Sequence, residues 1–115
     1  MTEEDSDMGA QNSNQLVCHV CNRLITSRDQ RISVLGRQVY SKVNPAGFAY
    51  HFVCYSNAPG CIVAGEPCLE HSWFSGYAWQ VASCQQCLEH LGWYFTGETR
   101  FYGLIKGRVV EQQTD

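Results

Sequence analysis

Two Cys-x-x-Cys pairs, Cys18-His19-Val20-Cys21 and Cys84-Gln85-Gln86-Cys87, constrain this chain more than any other feature of it. Each pair matches a knuckle that offers two thiolates to one ion, and two knuckles complete the tetrahedral four-sulfur set of a structural zinc site. A pair of disulfides or redox dithiols is the competing reading, and disulfides would require an oxidising compartment. Between the knuckles lie 62 residues, positions 22 to 83, where a small zinc ribbon has about 15–20. Such an ion would not fold a finger. It would tie the beginning of a domain to a point near its end. Loop-closure entropy grows only with the logarithm of length, so the wide spacing adds little cost. Four thiolates leave zinc no open position, which makes the site structural rather than catalytic.

The stretch between the knuckles reads as β structure. Residues 31–40 (RISVLGRQVY) alternate loosely around Gly36, and Asn44-Pro45-Ala46-Gly47 is a turn by its chemistry. Residues 48–55 (FAYHFVCY) form the best strand candidate, with Phe48, Tyr50, Phe52 and Cys54 on one face at period 2. A second turn, Asn57-Ala58-Pro59-Gly60, precedes a short apolar run at 61–64, and Gly65-Glu66-Pro67 breaks it. Residues 77–82, 92–95 and 100–106 complete the strand candidates. No long window shows a 3.6-residue period, so the expected class is mostly β, built of short antiparallel strands. With 115 residues the chain holds one domain with a modest core.

Charge is unevenly placed within the formal net of −3. Glu3, Glu4, Asp5 and Asp7 precede position 16, and Glu111 and Asp115 follow position 110. Between those limits eight basic residues face five acids, leaving +3. That is too mild for a nucleic-acid protein, where a basic stripe is expected. Residues 1–15 and 111–115 read as disordered, solvated tails around a domain at 16–110. No apolar run approaches the ~20 residues of a membrane span. The acidic start offers no apolar leader segment, so the expectation is a cytoplasmic protein without membrane attachment.

Two residue sets admit more than one reading. Cys54, Cys61 and Cys68 could form an extra site or a redox pair, or they could be buried thiols, the plainer assignment. Trp73, Trp79 and Trp93 fall within 21 residues and could be core bulk. That is the plainer assignment, and the alternative is that they wall a pocket braced by the second knuckle.

The order HSWFSGYAW, second knuckle, LGWYF, FYGLI resembles the CULT domain, the thalidomide-binding domain family of the cereblons. The resemblance runs from 16 to 110 and includes both knuckles and the Asn44-Pro45 turn. It implies a β-tent of two antiparallel sheets pinned by one zinc on Cys18, Cys21, Cys84 and Cys87. It further implies a cage with Trp73, Trp79 and Trp93 as walls and Phe95 at the base. His71 and Trp73 would read the ligand's edge, Ser72 between them would belong to the binding site, and Asn44 would sit at the rim. Ser75 stands where animal cereblons tend to carry proline. The chain is similar to stand-alone bacterial members, and no ubiquitin-ligase adaptor site is expected in it.

The function implied is non-enzymatic binding of cyclic imides such as glutarimide, with uridine-like rings or cyclised protein chain ends as further guests, by a monomer or weak oligomer. A quaternary ammonium held by cation–π contact is the rival guest. The alternative function is that of a type-B methionine sulfoxide reductase, a zinc-pinned β enzyme whose nucleophile is a cysteine near the chain end. Arg100-Phe101-Tyr102-Gly103-Leu104, the nearest stretch here, holds no thiol.

Overall fold

A computed structural model describes residues 14–112. The expected tails lie almost wholly outside the described residues. Among the described residues nine strands form two antiparallel sheets. The small sheet is β2 (Leu24–Ser27), β1 (Gln15–Cys18) and β9 (Val109–Glu111), in that order. The large sheet begins with β3 (Val39–Val43), β4 (Ala49–Tyr55) and β8 (Arg100–Ile105). It continues through β7 (His90–Thr96), β6 (Ala78–Cys84) and β5 (Cys61–Cys68).

The middle of the large sheet, at β4, β8 and β7, is buried on both faces, and the sequence of β4 shows how. Val53 and Tyr55 turn towards Leu16, Cys18 and Ile25 of the small sheet, together with Leu91 and Leu104. Phe52 and Cys54 turn the other way, towards Phe74, Phe95 and Phe101. Adjacent apolar residues are therefore both inside, which erases alternation where burial is deepest. Phe74 comes from the connection between β5 and β6 and is only 2% exposed. Its ring meets Tyr40, Phe95 and Phe101 edge-on at centroid distances of 5.1, 5.0 and 5.2 Å. That plug holds the loop carrying His71 and Trp73 against the sheet.

Three strand expectations change. Residues 31–40 are not one strand: Val34 and Arg37 exchange backbone hydrogen bonds around Leu35 (φ 51°) and Gly36 (φ 86°), and β3 starts only at Val39. Gly65-Glu66-Pro67 does not end β5; it is absorbed as an irregularity between Ala64 and Cys68. The three strands of the small sheet had no counterpart among the sequence-based candidates, and β1 and β9 reach Gln15 and Glu111. The Asn44 turn forms as its chemistry dictates. Asn44 Oδ1 accepts the Phe48 N–H at 2.9 Å, and Gly47 takes a φ of 92° that only glycine adopts freely.

Candidate functional site

Cys18 and Cys21 belong to the end of β1 and the turn after it, Cys84 and Cys87 to the end of β6 and the turn after it. The two turns are built alike. The N–H of Val20 donates to Cys18 Sγ and that of Gln86 to Cys84 Sγ, both at 3.4 Å. Asn22 N–H closes on the Cys18 carbonyl at 3.0 Å and Leu88 N–H on that of Cys84 at 2.8 Å. Each turn then leaves through a left-handed residue, Asn22 (φ 66°) and Leu88 (φ 67°). Sequences this short have adopted one local geometry twice, with main-chain donors aimed at sulfur.

The four sulfurs lie within 4.8 Å of one another. Cys18 and Cys87 are 3.7 Å apart, Cys21 and Cys84 3.5 Å. Metal–sulfur bonds of about 2.3 Å in a tetrahedron require edges near ~3.8 Å, so the donor set fits one ion. For Cys84, burial acts to raise the thiol. Hydrogen bonds from Cys87, Gln86 and the neighbouring thiols outweigh it and bring the group down to about 7. The site joins the small sheet to the large one.

Of the remaining thiols, Cys54 is fully buried, and burial pushes it up to about 12. Cys61 is half-buried and is raised to about 12 by the same cause. Half-buried Cys68 lies 3.8 Å from the Glu70 carbonyl.

A cavity of about 340 Å³ opens on the face away from the small sheet. Its lining comes from five places in the chain. The β3–β4 turn supplies Asn44 and Pro45, and β4 supplies Tyr50. The β5–β6 loop supplies His71 and Trp73. Trp79 and Val81 come from β6, and His90, Trp93 and Phe95 from β7. Six of the seven residues named from sequence meet here. Ser72 does not line the cavity. Its hydroxyl donates to the Phe74 carbonyl at 3.1 Å and accepts the Phe74 N–H at 3.3 Å, so it shapes the loop.

The three indoles are not equivalent. Trp93 is 8% exposed and packs edge-on against Trp73 at 4.8 Å and Tyr50 at 5.1 Å. It is both core and wall. Trp73 is half-buried, stacks on Phe52 at 5.6 Å and 15°, and donates its indole N–H to the Val43 carbonyl at 3.1 Å. Half-buried Trp79 donates to the Glu70 carbonyl at 2.8 Å. Both indole N–H groups thus staple the loop rather than point at a guest. The Trp73 main-chain N–H has no partner among the described residues. Phe95, 1% exposed, lies at the bottom. Phe52 can reach under the indoles because Gly103 faces it: a Cβ there would sit 2.6 Å from the Phe52 ring.

His71 is exposed at the mouth and takes a φ of 61°, an uncommon conformation for a non-glycine residue outside functional or strained sites. Tyr50 and His90 were not assigned to the pocket from sequence. Tyr50 shared its strand face with Phe52 and could have been added on that ground. His90 is hidden by a bulge: β6 pairs Ala82 with Gly92 but Ser83 with His90, skipping Leu91. Leu91 and Trp93, two residues apart, consequently pack into opposite cores. Burial and then the nearby Arg108 hold the His90 imidazole below its ordinary value, so it is neutral at pH 7. Among the described residues no Lys, Arg, Asp or Glu lines the cavity.

No protein-family model matches the chain. It is 33% identical to protein cereblon of Gallus gallus over 103 residues, covering 83% of this chain and 23% of that protein. Against protein cereblon of Danio rerio the identity is 33% over 103 residues, 83% of this chain and 24% of that protein. Against that of Drosophila melanogaster it is 30% over 83 residues, 68% of this chain and 14% of that protein. The chain spans about a quarter or less of the length of these relatives. Among the described residues no helix is long and apolar enough to cross a membrane. Two antiparallel sheets, a four-cysteine cluster and the similarity to cereblon over most of its length make this chain a cereblon-like domain.

Proposed function

We propose that this domain is a binding module for cyclic imides of the glutarimide type, held in the cage of Trp73, Trp79 and Trp93 over Phe95. The carrying observation is the cavity itself: three indoles around a space free of formal charge, with a left-handed His71 at its mouth. A glutarimide ring is aliphatic on its faces and presents an acceptor–donor–acceptor edge. Indole faces suit the aliphatic part and exclude water, which strengthens the hydrogen bonds that remain. The His71 carbonyl accepts the imide N–H in this reading. One imide oxygen takes the main-chain N–H of Trp73, and the other takes the His71 ring N–H in the fitting tautomer. Asn44 keeps its rim position, its amide N–H₂ free of the turn that occupies Oδ1. Ser72 acts only through the loop.

The ion is assigned as one structural zinc on Cys18, Cys21, Cys84 and Cys87, which supplies no chemistry beyond cross-linking the two sheets. A cytoplasmic location fits seven thiols kept reduced. A cationic guest fits less well, because the Arg108 guanidinium stands 6.0 Å from the Tyr50 ring at the cavity wall. Nothing supports the reductase reading: β8, the strand near the chain end, holds no cysteine, and burial raises the thiols of Cys54 and Cys61 to about 12.

Titration with glutarimide should quench intrinsic fluorescence in a saturable way, since all three tryptophans border the cavity. A flat titration up to millimolar ligand, with the fold intact by circular dichroism, would contradict the reading.

A further inference from the structure

Beside the cage runs a second, more open groove, and Tyr50 borders both. Its walls include Phe48 and His51 from β4 and the turn before it, and Lys106 and Arg108 from the segment joining β8 to β9. Lys106 is exposed. Arg108 is half-buried and fixed: its Nη1 donates to the His90 carbonyl at 3.0 Å, and its guanidinium lies 6.0 Å from the Tyr50 ring centroid. Among the described residues no carboxylate lines the groove. Among the described residues neither Lys106 nor Arg108 has an acidic partner, since the ion pairs there are His19 with Glu89 and Arg28 with Glu111. Two cations without counter-ions among the described residues, one of them held rigidly over the cage's own wall, are a positive field beside the cavity. His51 adds no negative charge, its Nδ1 being 2.6 Å from the Ser41 hydroxyl. Phe48, 64% exposed, offers an apolar surface along which a ligand's arm can lie.

We infer that this groove extends the cage site and receives a carboxylate-bearing arm of the caged ligand, so that the domain selects imides with an anionic extension. The inference rests on the cage reading above and deepens it. The cage fixes the ring through shape and its hydrogen-bonding edge. An arm leaving the ring across Tyr50 then meets Arg108 first and Lys106 beyond it. Arg108 can present a planar fork to a carboxylate, while Lys106 contributes a point charge.

Two glutarimide probes decide the matter, identical except that a short flexible arm ends in a carboxylate in one and its primary amide in the other. With the full chain the carboxylate probe should bind about three- to fivefold tighter at ~10 mM salt, as expected of a partly solvated ion pair. The advantage should fade towards parity at ~1 M salt, where the screening length falls to about 3 Å. In Lys106→Glu the preference should vanish or reverse, while the amide probe keeps its affinity and so reports an intact cage. Equal affinities of the two probes at low salt would overturn the inference, as would a preference that Lys106→Glu leaves unchanged. If neither probe quenches tryptophan fluorescence, the cage reading itself has failed, a result distinct from equal binding.

Discussion

Cys84→Ser should abolish the cooperative thermal transition of this domain and its metal content together. The residue is fully exposure-free in the core cluster that joins the sheets, so the substitution acts where small-sheet and large-sheet residues meet. Apparent zinc affinities of about 10–16 kcal/mol in four-ligand sites are of the same size as, or larger than, the ~5–15 kcal/mol that stabilises a domain. Replacing one thiolate by a neutral hydroxyl removes a charge and weakens a soft metal–sulfur bond, and it leaves a polar group in an apolar cluster. The geometry sharpens the expectation. Among the described residues the small sheet consists of strands of four, four and three residues, too little surface to hold its place without the cross-link. Elemental analysis should return about one zinc per parent chain and none in the variant. A variant that keeps its metal and melts within about 5 °C of the parent, roughly 1 kcal/mol, would refute the structural role.

Trp79→Ala, only five positions away, should give the opposite pattern. Its indole is half-buried and bonded to the loop through the Glu70 carbonyl. The loss should therefore stay below the ~3–5 kcal/mol typical of a fully buried tryptophan. The chain should remain folded with zinc bound. Its imide affinity should fall by about 2 kcal/mol or more, some 30-fold, because one wall of the cage and one anchor of the His71 loop go together. A general sensitivity of this region to mutation would make both variants melt alike. Should Trp79→Ala unfold as Cys84→Ser does, the residue is core and not cage.

The parts of the fold that could be read from sequence were those where local chemistry and burial agree. The Asn44 turn is dictated by Asn44 Oδ1 and the positive φ of Gly47, and β4 by its run of Phe52, Val53, Cys54 and Tyr55. Residues 31–40 misled because Ile32, Val34 and Tyr40 carry strand composition, while Leu35 and Gly36 impose a reversal that depends on tertiary contacts. The Tyr40 hydroxyl donates to the Val34 carbonyl and ties that reversal down. The small sheet was invisible for a different reason. Strands of three or four residues show no period, and their pairing joins the two ends of the described chain.

At the site, the knuckles were fully legible because their spacing is the ligand geometry. The indoles were legible as a group, yet composition could not say that Trp93 is core as well as wall. His90 needed the Leu91 bulge to reach the cavity, and no one-residue skip of that kind is written in a local pattern. Ser72 was drawn in by its neighbours in sequence, and its two hydrogen bonds to the Phe74 backbone keep it in the loop.

The most direct test of the account is a paired calorimetric titration of the parent chain with glutarimide and with N-methylglutarimide. Methylation removes the imide donor and places a methyl group against the His71 carbonyl, leaving that acceptor unpaired in a water-poor cage. The unmade hydrogen bond alone costs ~1–3 kcal/mol, about 5- to 150-fold in affinity, and the steric conflict adds to it. The account predicts one glutarimide bound per chain and no measurable heat from the methylated compound at the same concentrations. Equal affinity for the two would contradict it, because the cage would then be holding the ring by shape alone and nothing at His71 would be reading its edge.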